Sequence, residues 1–238
     1  MQGFKSAQDL HKITTISFDG DGTLWDFRSS MENALALTLQ QLRLIVATEA
    51  TKRLTVQKMI EIRDSVASEL GKGVVGHEEI RYTAFLRTLE YVGERSQPVA
   101  KQLYQFYMEA RFSGTRPYPD VPVGLKDLKN RYRIGMISNG NSYPERCGLP
   151  NTFDFTVFAP ECGFRKPDRR IFEFTLSRID CDPQEVLHVG DSLKDDVLGA
   201  RNSGLRSVWL NREHLINETD IIPDLEIRDM HGLNAVLR

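Results

Sequence analysis

The stretch "ITTISFDGDGTLWDF", residues 13–27, decides how the rest of the chain is read. Ile13–Phe18 is a short apolar run with β-branched residues, which reads as a buried strand. It stops abruptly at Asp19-Gly20-Asp21-Gly22-Thr23. If the extended geometry persists, residues 19 and 21 point to the same side, because side chains alternate with period two along a strand. The glycines let the backbone turn sharply and bring amides close to an anion. Alone, the stretch serves equally well as a polar turn that ends a strand. What separates the two readings lies further along the chain.

Beyond Ser29 the texture is helical to about Phe112. Ser29 and Glu32 have capping-box spacing ahead of "NALALTLQQLRLIV". Val56, Met59, Ile60, Arg63, Ala67 and Leu70 fall mostly on one face of a second helix, which Gly71 is placed to end. "HEEIRYTAFLRTLEYV" gives a third helix, and a fourth runs from about Pro98 to Phe112. After "GTRPYPDVP" short apolar runs appear at 133–137, 153–158, 186–189 and 205–210, most of them separated by helical stretches. Alternating strands and helices imply a parallel sheet with helices on both faces. The expectation is therefore an α/β domain, residues 1–24 and 116–238, interrupted by a four-helix insertion at 25–115.

Composition removes several function classes. With 31 basic and 33 acidic residues the net charge is -2, and no basic tract stands out, so nucleic acid is a poor partner. No window approaches ~18 consecutive apolar residues, and "MQGFKSAQDLHK" has no apolar signal core; the expectation is a cytoplasmic protein without a membrane partner. Cys147, Cys162 and Cys181 show no C-x-x-C spacing, which disfavours a disulfide framework or zinc site.

In open parallel sheets, ligands bind outside the carboxyl ends of the strands. Asp19–Thr23 follows the first run and Ser138-Asn139-Gly140 the second. Arg165-Lys166-Pro167-Asp168 lies in a loop beyond the third, and Gly190-Asp191-Ser192, with Asp195 and Asp196, follows the fourth. Such carboxylates suit a hard divalent cation such as Mg²⁺. A hydroxyl, an amide and an ammonium suit phosphoryl oxygens, and one carboxylate is left to act as nucleophile. Each group alone has a plain explanation: a turn, a helix cap or a solvated lysine. Four groups at four strand ends or following loops are not explained that way. "GKGVVG" at 71–76 matches a dinucleotide fingerprint but follows a helical pattern, so it reads as a loop of the insertion, with Lys72 or His77 near substrate, or as a plain linker. His188, inside an apolar run, reads as a core residue, and Trp25 as packing or cleft lining.

The motifs "DGDGT" (19–23), "SN" (138–139), "KP" (166–167) and "GDSLKDD" (190–196) together resemble the haloacid dehalogenase-like hydrolase superfamily, in the branch with a helical cap inserted after the first strand. The resemblance covers nearly the whole chain and implies a Rossmann-like sheet of five or so strands. It implies that Asp19 attacks phosphorus to form an aspartyl-phosphate and that Asp21 protonates the leaving oxygen and then activates water. Gly20, Asp21, Ser138, Asn139 and Lys166 would bind the phosphoryl group. Asp19, Asp191 and the backbone carbonyl of Asp21 would hold Mg²⁺, supported by Asp196 or Asp195. The spacing admits either, and related sequences favour 196. An acid at position 21 favours a phosphatase over a dehalogenase, since a halide leaves without a proton. Gly20 departs from the pattern, because many relatives carry a bulky apolar residue there. The expected substrate is a small phosphomonoester of sugar phosphate, nucleotide or phosphoglycolate type. A phosphomutase, a haloacid dehalogenase or a catalytically silent binding protein on the same scaffold are the alternatives.

Overall fold

The computed structural model describes residues 11–70 and 76–237. The first ten residues, Gly71 and Lys72 lie outside the described residues. The chain forms two compact units: one runs up to Asp26 and resumes at Arg116, and the other is Phe27–Thr115.

Strand β1 is Thr15–Phe18, buried at every position. The helical unit follows with α1 Phe27–Ile45, α2 Glu49–Arg53, α3 Val56–Leu70, α4 His77–Tyr91 and α5 Gln97–Gly114. The four expected helices are present, and the five-residue α2 lies between the first two. On α1 the buried residues Met31, Ala34, Leu35, Thr38, Leu39 and Leu42 recur at three- and four-residue spacing, the stripe of a helix with one apolar face. The apolar ones join Leu54, Met59, Phe85, Leu89 and Leu103 in a core of the unit's own. The capping box expected at Ser29 is not formed, because α1 already begins at Phe27, which packs against that core. Ser29 lies inside the first turn, and Glu32 instead accepts from Arg28 Nε at 3.1 Å, one turn earlier. Ser96 does cap α5, accepting from Val99 N.

The other unit continues with α6 Val121–Lys129, β2 Arg133–Ser138, β3 Phe155–Phe158, α7 Ala159–Cys162, α8 Arg169–Ile179 and β4 Val186–Gly190. After β4 comes a π-helical turn, Leu193–Leu198, that runs into α9 Gly199–Asn202. Then come β5 Arg206–Leu210, β6 Leu225–Ile227 and α10 Met230–Val236. All the strands are parallel, in the order β3-β2-β1-β4-β5-β6. The sheet thus has six strands where five or so were expected. The sixth is a three-residue edge strand, too short for alternation to reveal it, and is anchored where Asp224 Oδ2 accepts from Ser207 N at 2.8 Å. Ile137, Phe155, Val157, Ile171, Phe172 and Leu205 bury one face of the sheet. Among the described residues no helix is long and apolar enough to cross a membrane.

Gly135 on β2 sits level with Phe155 on β3, and a Cβ there would lie 2.1 Å from the Phe155 ring. Gly135→Ala is expected to destabilise the protein by about 1–3 kcal/mol, the usual cost of overpacking, measured by urea denaturation. An unchanged midpoint would show that the ring moves aside freely.

Candidate active site

Because every strand runs the same way, all carboxyl ends meet at one edge of the sheet. The register aligns them: Phe18 is level with Met136 on one side and Val189 on the other. Asp19 N adds one more rung, donating to Val189 O at 2.8 Å. Asp19, Ser138 and Asp191 therefore leave three adjacent strands at nearly one level. Past Gly20 the chain folds back, with Leu24 N on Gly20 O at 2.8 Å and Gly22 N on Trp25 O at 2.9 Å. The period-two alternation therefore does not extend through the motif. Gly22 has φ +91°, and a Cβ on it would lie 2.6 Å from Asp191 Oδ2. Only glycine meets both conditions without strain.

The centre of the site is Lys166, 1% exposed, whose Nζ is 2.6 Å from Asp19 Oδ1 and 2.6 Å from Asp196 Oδ1. Asp19, Asp191 and Asp196 each bring a carboxylate oxygen within 4.8 Å of the others. Asp196 also accepts from Ser192 N at 3.0 Å and meets His188 Nε2 at 3.1 Å. A carboxylate can only accept there, so Nε2 carries the imidazole proton and Nδ1 accepts from Ser17 Oγ at 2.9 Å. The wide π turn aims Asp196 inward: Val197 N bonds Ser192 O across five residues, and Ser192 Oγ caps the turn by accepting from Asp195 N.

The charges do not balance. Burial opposes the Lys166 ammonium, but Asp19 and Asp196 outweigh it and hold its pKa above the ordinary lysine value. Burial likewise opposes ionisation of Asp196, yet Lys166 and His188 hold it well below the usual carboxylate range. Lys166–Asp196 is therefore the ionised pair, and the surplus falls on the other acids. Burial pushes Asp19 well up, Lys166 pulls it back, and the charges of Asp196 and Asp191 add to the rise. Asp191 keeps a solvent-facing edge, but the protein around it and then Asp196 push it up to about 6. Three carboxylates around one ammonium are short of positive charge, and a hard divalent cation with oxygen ligands fits that deficit.

The remaining expected residues fall at the same edge with altered contacts. Ser138 is buried at the end of β2, and its Oγ accepts from Gly140 N at 3.1 Å. Asn139 was expected to contact the phosphoryl group, but its side chain is committed to the protein. Its Oδ1 accepts from Lys166 N at 2.7 Å, and its Nδ2 donates to Lys166 O and Asp195 Oδ2. It clamps the segment that carries the lysine. Of the two neighbouring acids, Asp196 joins the cluster around Lys166, while the half-buried Asp195 holds Asn139. Asp21 stands outside the acidic cluster: its Oδ1 accepts from Trp25 Nε1 at 2.7 Å. His77 begins α4, and Lys72 lies outside the described residues.

Several residues of the site were not expected from sequence. Thr23 Oγ1 donates to Asp191 Oδ1 at 3.1 Å, and Trp209 Nε1 donates to Asp191 O at 2.8 Å. His188 is indeed buried in the sheet, yet it also braces Asp196. A polar residue inside an apolar strand, two positions before a Gly-Asp pair, was the only available signal.

The haloacid dehalogenase-like hydrolase family matches residues 13–204. The chain is 30% identical to the glyceraldehyde 3-phosphate phosphatase of Methanothermobacter thermautotrophicus, over 87% of this chain and 90% of that one. It is 33% identical to the 5-amino-6-(5-phospho-D-ribitylamino)uracil phosphatase of Escherichia coli, over 96% and 98%. The 2-haloacid dehalogenase of Pseudomonas syringae superposes with a TM-score of 0.77 at 30% identity, covering 94% of this chain and 98% of that one.

A raised folded-state pKa at Asp191 means that its ionisation costs stability once the pH climbs from about 4 through about 6. In EDTA, Asp191→Asn is expected to stabilise the protein by about 1 kcal/mol at pH 7, discounted for the solvent on its open edge. The gain should fade as the pH falls to about 4, as followed by thermal unfolding across pH. A gain that is independent of pH would contradict this charge balance.

Proposed function

The chain belongs to the haloacid dehalogenase-like hydrolase family, and on that premise we propose that it is a Mg²⁺-dependent phosphatase of small phosphomonoesters. The observation that carries the reading is the pair of acids in different surroundings: Asp19 against Lys166 in the acidic cluster, Asp21 outside it on Trp25. Neighbouring carboxylates in unlike environments divide the roles of nucleophile and acid. Asp19 attacks phosphorus, and Asp21 gives its proton to the departing oxygen. Asp21 then takes a proton from the water that hydrolyses the aspartyl-phosphate. Lys166 offsets the negative charge that Asp19 and the phosphoryl group bring together. The Ser138 hydroxyl and the amides of Gly20 and Asp21 bind phosphoryl oxygens. Asp19, Asp191 and the Asp21 carbonyl would hold Mg²⁺, with Asp196 behind them, and the ion would supply the positive charge that the cluster lacks.

We place substrate selection in the helical unit, as a cap, and the protein in the cytoplasm. The named activities of the two relatives support a small phosphorylated metabolite as substrate, and we take it to be of sugar phosphate, nucleotide or phosphoglycolate type. The Pseudomonas syringae neighbour gives dehalogenation a hearing, but a halide needs no proton to leave, and Asp21 has no part in that reaction.

Turnover of p-nitrophenyl phosphate with Mg²⁺ is expected to be abolished by Asp19→Asn and by EDTA, and restored to the wild type by added Mg²⁺. Full activity of either preparation would refute the mechanism, and metal-independent chloride release from 2-chloropropionate would favour the dehalogenase.

A further inference from the structure

Trp25 is fully buried, and its indole N–H lies 2.7 Å from Asp21 Oδ1. Its backbone is fixed as well: Trp25 O accepts from Gly22 N at 2.9 Å, and Trp25 bridges to Pro117. The indole therefore cannot follow the carboxylate if the latter rotates. An indole nitrogen only donates. Oδ1 is thus held as an acceptor, and a proton on this carboxyl group must sit on Oδ2. No donor among the described residues reaches Oδ2. That oxygen faces the turn after β2: a Cβ placed on Gly140 would lie 2.8 Å from Oδ2 and 3.6 Å from Ser138 Oγ.

Gly20 completes the arrangement. A Cβ on residue 20 would lie 3.0 Å from Trp25 Cζ2, the ring atom two bonds from Nε1. The indole edge thus occupies space that a side chain at position 20 would enter. The departure of Gly20 from the family pattern then has a structural partner in Trp25.

We propose that Trp25 is a positioning residue for proton transfer: it locks Asp21 with Oδ2 as the proton-bearing oxygen toward the Ser138–Gly140 turn, and Gly20 makes room for it. The proposal rests on the phosphatase reading above. In the step concerned, a bond forms from Asp19 to phosphorus while the bond from phosphorus to the leaving oxygen breaks. The proton on Asp21 Oδ2 passes to that oxygen.

The test is leaving-group dependence, read as kcat/KM for aryl and alkyl phosphates of decreasing leaving-group acidity. For Trp25→Phe, kcat/KM is expected to fall less than about threefold with p-nitrophenyl phosphate and about tenfold or more with an alkyl phosphate. Such a loss is part of the ~10²–10⁴ that proton transfer commonly contributes. Gly20→Leu, which displaces the indole edge, should reproduce the graded loss, and the double variant should be no worse than Trp25→Phe, since both remove one contact. If Trp25→Phe does not fold, Gly20→Leu alone carries the test. A loss of equal size across the series, or no loss, overturns the role of Trp25. Asp21→Asn separates the two levels. A graded loss in Asp21→Asn beside an even loss in Trp25→Phe sinks this proposal alone, whereas an even loss in Asp21→Asn sinks the acid role beneath it.

Discussion

The site depends on one buried ammonium. Lys166 Nζ touches two carboxylates of different origin, Asp19 at the end of β1 and Asp196 on the turn after β4. Burying an ammonium between two carboxyl groups is costly, and the attraction repays it only when every partner is in place. The surrounding contacts can be understood as meeting that condition. Asn139 grips the Lys166 backbone on both sides, Ser192 N and His188 fix Asp196, and Ser17 fixes His188. Polar contacts within the sheet thus support the charged groups at its edge.

Much of this was legible in the sequence, and the limits have physical causes. Strands β1 to β5 announce themselves as short apolar runs, and the parallel order follows from their alternation with helices. The positions of Asp19, Ser138 and Asp191 at one edge follow from that order, whereas Lys166 lies in a loop beyond β3 and α7. What spacing cannot supply is the direction of a side chain beyond a strand end. Asp195 and Asp196 are neighbours in sequence, and only the π turn decides which of them faces Lys166. The family resemblance assigns Asn139 to the phosphoryl group, but its side-chain contacts lie with a segment far away in sequence. Trp25 gave no sign of its partner, since an aromatic residue after a turn usually means packing.

The cluster also illustrates a conflict between stability and function. Asp19 is buried beside Asp196 and Asp191, and the more exposed Asp191 is crowded by the protein around it and by Asp196, so the ionised forms of both are disfavoured. A protein selected only to stay folded would replace one of them with a neutral residue. Retaining all three acids around one lysine makes sense if a cation or a reaction offsets the repulsion during the working cycle.

The central position of β1 has a consequence for how the chain acquires its structure. Its two neighbours in the sheet begin at Arg133 and Val186, so the first strand made on the ribosome has nothing to pair with until more than half of the chain has been made. At about 5–20 residues per second, that wait lasts many seconds. The helices between Phe27 and Thr115 have their own core and can condense during it. They bring the two ends of a long loop together before the sheet closes, which lowers the entropy cost of joining strands so distant in sequence.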